Sequence, residues 1–109
     1  VDEAMVADLR QFFPETILPT AGDVSYQYYK YTSILENSLH ISLGETLDEE
    51  GFQREAARID ALPMLTSGTR AEGDGITVID LRTPEGLVLH LSLDAACHRI
   101  IYSASCQQH

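Results

Sequence analysis

Four histidines and two cysteines are the side chains of this 109-residue sequence best suited to metal binding or nucleophilic chemistry. His40 and His90 fall in two separate apolar stretches, and Cys97 stands beside His98. No pair has the spacing of a zinc motif such as HExxH or CxxC, which would hold its ligands on one element. The sequence therefore predicts no metal site and no bound cofactor.

A serine stands two residues after each of two histidines, Ser42 after His40 and Ser92 after His90. Alternate residues of a strand are about 6–7 Å apart, too far for the direct hydrogen bond that activates a serine nucleophile. The sequence also lacks a GxSxG elbow and a GxxxxGKS/T phosphate loop. We predict that the protein is not an enzyme, and a small hydrolase is the enzyme class to test against this prediction.

The two cysteines, Cys97 and Cys106, leave two interpretations open. An even number of cysteines suits a disulfide in a secreted protein. Nine residues of extended strand would place them about 30 Å apart, whereas bridged Cα atoms lie about 5.5 Å apart. Either the chain bends and the cysteines bridge, or both are buried thiols that act as small apolar side chains.

Two helices are predicted from apolar residues at helical spacing. The first covers residues 2–13 and stops before Pro14, because a residue that precedes proline disfavours the helical conformation. The second covers residues 47–62, with Thr46 and Glu49 as a capping box at its start. Its apolar side would consist of Phe52, Ala56, Ile59 and Leu62 or Ala57.

Strand patterns occupy most of the remaining sequence. The first two strands would form a hairpin, with Gly44 ending the second, and residues 66–75 would form a loop. Pro84 and Gly86 predict a tight turn between two of the later strands. The order α-β-β-α-β-β-β predicts an α+β fold in a single domain, residues 1–109. The five predicted strands are 24–33, 38–43, 76–83, 87–93 and 98–104.

A short internal repeat links the two halves of the chain. Leu-His-Ile-Ser-Leu at residues 39–43 resembles Leu-His-Leu-Ser-Leu at residues 89–93. One interpretation is a pseudo-repeat of two α-β-β units, 1–43 and 47–93, joined edge to edge in one antiparallel sheet. Both helices would pack on one face, and the fifth strand would extend the sheet. The alternative is chance similarity between hairpins of similar composition.

The face of the sheet away from the helices is the predicted binding surface. The leucines and isoleucine of the repeat would point at the helices, so the histidines and serines would point away. The four tyrosines of the first strand would populate both of its faces, so two or more of them would stand near the histidines, and tyrosine is enriched at protein interfaces. An ordinary solvated face is the alternative. The predicted binding residues are Tyr26, Tyr28, Tyr29, Tyr31, His40 and His90.

Charge restricts the classes of partner. Seventeen acidic residues and seven basic ones give a net charge of -10. This field repels nucleic-acid phosphates and anionic membrane surfaces and attracts a basic protein, although the charge could serve solubility alone. No apolar run approaches the ~18–20 residues of a transmembrane helix. We expect a protein partner, no nucleic acid and no transmembrane segment.

Several features resemble small secreted or lipid-anchored proteins of GC-rich Gram-positive bacteria: an initial Val1, a single lysine among the basic residues, the hairpin within residues 75–93 and two late cysteines. The resemblance implies an extracytoplasmic location, after removal of a signal peptide or with a lipid anchor outside this chain. The sequence thus predicts a non-catalytic extracytoplasmic binding domain. The alternative is an acidic immunity-type inhibitor of a basic toxin in the cytoplasm.

Overall fold

Two helices and six strands make up the described fold, which confirms the predicted α+β class. The computed structural model describes residues 3–14, 32–33 and 38–107. The helices are α1 (Glu3–Phe12) and α2 (Glu49–Asp60), and a short 3₁₀ helix covers Pro63–Ser67. The strands are β1 (Thr32–Ser33), β2 (Ser38–Thr46), β3 (Thr69–Gly73), β4 (Ile76–Arg82), β5 (Val88–Asp94) and β6 (Arg99–Gln107).

The last strand lies inside the sheet and not at its edge. All pairings are antiparallel, in the order β1-β2-β6-β5-β4-β3. The expectation that the last strand extends an edge-to-edge sheet is therefore wrong. A short turn joins β5 to β6, so the two pair directly, and β4 already occupies the other side of β5. The free edge of β6 then pairs with β2, and the two halves of the chain meet through β6.

The predicted loop over residues 66–75 is also wrong, because it contains β3 and part of the 3₁₀ helix. Asp74 and Gly75 connect β3 to β4 and both have positive φ, 55° and 78°. This pair of values is typical of the two-residue hairpin turn that matches the twist of its strands. All five residues of β3 are exposed, so the strand lacks the apolar alternation by which strands are recognised.

The start of α2 differs from the predicted capping box. Asp48 caps the helix, and its side chain accepts a hydrogen bond from the backbone N–H of Gly51 at 2.7 Å. Thr46 instead belongs to β2, which continues past Gly44 and pairs with β6 as far as Arg99. The cap comes two residues later than predicted because strand pairing holds the backbone extended through Thr46.

One hydrophobic core joins the sheet to both helices. The side chain of Tyr102 on β6 is fully buried, and Phe12 of α1 packs edge-on against its ring at a centroid distance of 6.0 Å. Glu55 of α2 accepts a hydrogen bond from the Tyr102 hydroxyl. Tyr102 thus contacts one residue of each helix. No helix in the described ranges combines the length and apolar character needed to cross a membrane.

The inward-facing residues of the repeat follow the prediction where they are described. Ile41, Leu89, Leu91 and Leu93 are buried. Leu43 is half-buried and packs against the core. The side chain of Leu39 lies outside the described part of the structure.

Candidate functional site

The outward side of strands β2 to β6 forms one continuous surface, which we call the open face. Because successive side chains of a strand alternate between the two faces, the neighbours of the buried core residues point outward. His40 and Ser42 on β2 are exposed, and His90 and Ser92 on β5 are half-exposed, as predicted. Which of these residues lie next to each other depends on the register of strand pairing and not on their separation along the chain.

A row of polar residues crosses the open face perpendicular to the strands. Asp80 lies opposite His90, His90 lies opposite Ser103, and Ser103 lies opposite Ser42. The Nδ1 atom of His90 lies 2.5 Å from Oδ1 of Asp80. The hydroxyls of Ser42 and Ser103 lie 3.2 Å apart and share a hydrogen bond. Four adjacent strands thus each contribute one side chain to the row.

The row contains the residue types of a serine–histidine–aspartate triad, but its described hydrogen bonds do not follow the order of a triad. Within the described residues, Ser103 bonds to Ser42 and makes no hydrogen bond to His90. A hydrolase also needs N–H donors aimed at the developing oxyanion. The backbone N–H groups of central strands such as β6 are already used in pairing with their neighbours. The described hydrogen bonds of the row therefore do not form a nucleophile–base pair, and its side chains can hydrogen bond a partner.

The open face carries no net charge, in contrast to the chain as a whole. Its described outward-facing residues include two acids, Asp80 and Asp94, and two arginines, Arg82 and Arg99, which sum to zero. The whole chain has a net charge of -10. Half-exposed apolar side chains lie among the polar ones on this face: Val78, Val88 and Ile101.

The structure describes only two of the six predicted binding residues. Tyr26, Tyr28, Tyr29 and Tyr31 lie outside the described residues. His40 and His90 both lie on the open face, but β6 separates their strands, so they are not direct neighbours. The sequence analysis missed two members of the row, Asp80 on β4 and Ser103 on β6.

The third histidine of the sequence analysis lies away from this row. His98 occupies the turn between β5 and β6, with a positive φ of 55° and its ring 5.7 Å from that of Phe52. Over residues 3–14, 32–33 and 38–107, no group of three potential ligands could hold a metal ion.

Neither interpretation of the cysteines holds. Cys97 is exposed in the turn between β5 and β6, Cys106 is buried near the end of β6, and no disulfide joins the two. The strand continues without a bend between Arg99 and Gln107, which keeps the two thiols apart. A hydrogen bond to Asp94 raises the pKa of the Cys97 thiol, and the same bond lowers the pKa of Asp94.

A buried polar cluster around Glu55 is another feature that sequence reasoning missed. Glu55 is buried, accepts two hydrogen bonds from Arg58 at 2.6 and 2.9 Å, and accepts one from Tyr102. Burial opposes the charge of Arg58, but the bond and charge of Glu55 raise the pKa of its guanidinium overall. One feature of the sequence could have indicated that Glu55 is buried. It lies three residues after Phe52 and four before Ile59, within the apolar stripe of α2.

Next to this cluster, a cavity of about 620 Å³ lies between the end of α1, the adjoining part of β2 and one side of α2. Its walls combine arginines with apolar side chains: Arg10, Arg54, Arg58, Phe13, Leu47 and Leu62. The cavity belongs to the helix side of the sheet, so it is separate from the open face.

Comparison with known proteins finds no matching family model, no matching curated protein and no matching solved structure. The function of this chain must therefore be inferred from its own residues.

Proposed function

We propose that the protein is a non-catalytic binding domain that docks a protein partner on the open face. The observation that carries the proposal is the neutrality of this face in a chain of net charge -10. Surface acids keep most of such a protein hydrated and repel other acidic proteins, whereas a neutral face with apolar side chains can be desolvated at lower cost. The partner we expect has an apolar centre and a basic periphery that meets the surrounding acidic surface.

The chemistry of the open face suits a contact that combines packing with hydrogen bonds. Val78 and Ile101 offer apolar area, and Ser103 and His90 offer polar groups beside them. Five strands at ~4.8 Å spacing give a width of about 19 Å, which makes the face small for a stable interface. We therefore expect a transient complex of moderate affinity.

The test uses one arginine substitution on each side of the molecule. Ser103→Arg places a bulky cation in the centre of the open face, and Ala57→Arg places the same side chain at an exposed position of α2. A partner captured by the wild-type protein is purified, and its Kd is measured by calorimetry against both variants. We expect about tenfold or greater weakening for Ser103→Arg and little change for Ala57→Arg.

Two outcomes would overturn this proposal. One is a purified partner that binds Ser103→Arg as tightly as it binds Ala57→Arg, with both variants folded by circular dichroism. The other is the absence of any partner specific to the wild-type protein in cross-linked extracts of its source cells.

A second candidate is the acidic immunity-type inhibitor of a basic toxin. The observation in its favour is the charge distribution, because only two of the chain's seventeen acids lie on the described open face. Binding through acidic surface would weaken steeply as salt screens it, whereas docking on the neutral face would depend little on salt. Measuring the Kd for the purified partner at low and high salt separates the two candidates.

We also propose an extracytoplasmic location for this chain. In one form of this proposal, the chain is the soluble part of a lipoprotein. The support is the resemblance in composition, and the two cysteines, which form no disulfide, add nothing to it. Labelling intact source cells with a membrane-impermeant amine reagent tests the location. Labelling only after lysis would contradict it.

A further inference from the structure

Three of the six arginines in this acidic chain line one cavity. Arg54 and Arg58 are four residues apart on α2 and therefore share a face of that helix, and Arg10 approaches from α1. The lining also includes two acids, Glu45 and Glu55, so its formal charge is +1. A locally cationic cavity in a chain of net charge -10 is the feature to be explained.

Arg58 holds the wall of the cavity in place. Its guanidinium bonds to Glu55 and donates to the backbone carbonyls of Gln11 and Phe12, at 2.9 and 3.0 Å. These bonds join α2 to the carboxyl end of α1. The charges of Arg58 and Glu55 compensate each other, so this pair is structural and leaves ligand binding to other residues.

Arg54 and Arg10 remain able to bind a ligand. Arg54 is 73% exposed and pairs with the exposed Glu50 at 3.2 Å, a surface contact that contributes only ~0–1 kcal/mol. An incoming anion can compete for that guanidinium at little cost. Arg10 is exposed and has no ion pair with any of the described residues. Both side chains can thus turn toward an anion at the mouth of the cavity.

The remaining walls are apolar. Phe13 is fully buried beneath the cavity, and Leu47 and Leu62 are half-buried at its sides. The volume of about 620 Å³ falls within the range of small-molecule sites. Such walls would cover the hydrocarbon part of a ligand while the arginines hold its charged head.

We propose that this cavity binds a small amphipathic carboxylate, with its head at Arg10 and Arg54 and its apolar body over Phe13, Leu47 and Leu62. The proposal does not depend on the open face, because the cavity lies on the opposite side of the sheet. The net charge of the chain alone would favour a cationic ligand. A preference for the anion would therefore come from the cavity itself.

The test compares octanoate and octylammonium, which share an apolar chain and differ in the charge of the head group. Amide chemical shifts of the labelled protein give the site and the Kd at neutral pH. We expect octanoate to bind about tenfold more tightly than octylammonium, with shifts at Phe13, Gly51 and Leu62. Arg10→Ala and Arg54→Ala should each weaken octanoate binding about three- to tenfold, because each removes one charged contact.

Arg99→Ala is the matched control, because Arg99 is an exposed arginine of the open face. Its octanoate Kd should equal that of the wild type. The proposal is overturned if octylammonium binds as tightly as octanoate, if the shifts map to the open face, or if Arg99→Ala weakens binding as much as Arg10→Ala. It is also overturned if millimolar octanoate leaves the spectrum unchanged.

Discussion

The carboxylate of Glu55 in α2 accepts a hydrogen bond from the hydroxyl of Tyr102 in β6, and both groups are buried. Arg58 extends this contact to the carboxyl end of α1 through the carbonyls of Gln11 and Phe12. A continuous set of polar contacts therefore ties the central strand to both helices. Its members satisfy one another, as buried polar groups must if they are not to destabilise the fold.

Replacement of Tyr102 by phenylalanine should destabilise the protein. The change removes a hydrogen bond to a buried carboxylate and should lower the free energy of unfolding by about 1.5–3 kcal/mol. Urea denaturation followed by circular dichroism measures the loss. Ser103→Ala on the open face removes a less buried hydroxyl and is the control, with an expected change of about 0.5 kcal/mol or less. Equal stability of Tyr102→Phe and wild type would contradict the prediction.

The same tyrosine should make stability fall at alkaline pH. Burial, together with the hydrogen bond to Glu55, raises the pKa of Tyr102. The unfolded chain releases this proton near pH ~10, whereas the folded protein retains it. Above that pH the unfolded state therefore binds fewer protons, and the free energy of unfolding declines as pH rises.

Urea unfolding at several values between about pH 8 and pH 11 measures the decline. Tyr102→Phe should show a shallower decline, because it lacks this proton. Parallel pH profiles for the two proteins would show that Tyr102 is not responsible.

The residue that caps α2 can be identified by two alanine substitutions. Asp48→Ala removes the acceptor for the Gly51 N–H and should cost about 1 kcal/mol of stability. Thr46→Ala, at the position that sequence alone favoured, should cost clearly less because Thr46 lies in β2. Thermal unfolding of the two variants measures the difference, and the reverse order would place the cap at Thr46.

Two glycines near the β3–β4 turn provide a matched pair. A Cβ would meet no atom within 4 Å at either Gly73 or Gly75, but only Gly75 has a positive φ, 78°. Gly75→Ala should therefore destabilise the protein by about 1 kcal/mol through backbone strain alone. Gly73→Ala should be close to neutral. Denaturant midpoints test this, and similar losses for both would argue against a strained turn at Gly75.

Cys97 should react slowly for an exposed thiol. Its hydrogen bond to Asp94 raises its pKa, so less reactive thiolate is present near neutral pH than in an ordinary cysteine. Asp94→Asn removes the negative charge and should speed the reaction with a disulfide reagent.

The stoichiometry of that reaction supplies the control. One thiol should react in the folded protein and two after denaturation, because Cys106 is buried. Cys97→Ser should abolish the reaction of the folded protein. A slower reaction of Asp94→Asn than of wild type would contradict the proposed role of Asp94.

Local patterns predicted most elements of this fold. Apolar spacing in the sequence predicted both ends of α1 to within one residue of the observed ends. Apolar–polar alternation predicted the ends of β4 and β5 with the same accuracy. The strand missed was β3, whose five residues are all exposed, although Asp74 and Gly75 form the dipeptide most typical of a tight hairpin. When no face of a strand is buried, its sequence need not alternate between apolar and polar residues. Only the residues of the adjoining turn then indicate the strand.

The sequence by itself determined which side chains of β2 and β5 face outward, including His40 and His90, because alternation is a property of a single strand. It also determined the acidic character of the chain. Only the tertiary structure decided that Asp80, His90, Ser103 and Ser42 form one row, because the row depends on strand order and register. The contact of Glu55 with Tyr102, 47 residues further along the chain, arises in the same way. Such pairings are set when the whole core packs, and no local spacing encodes them.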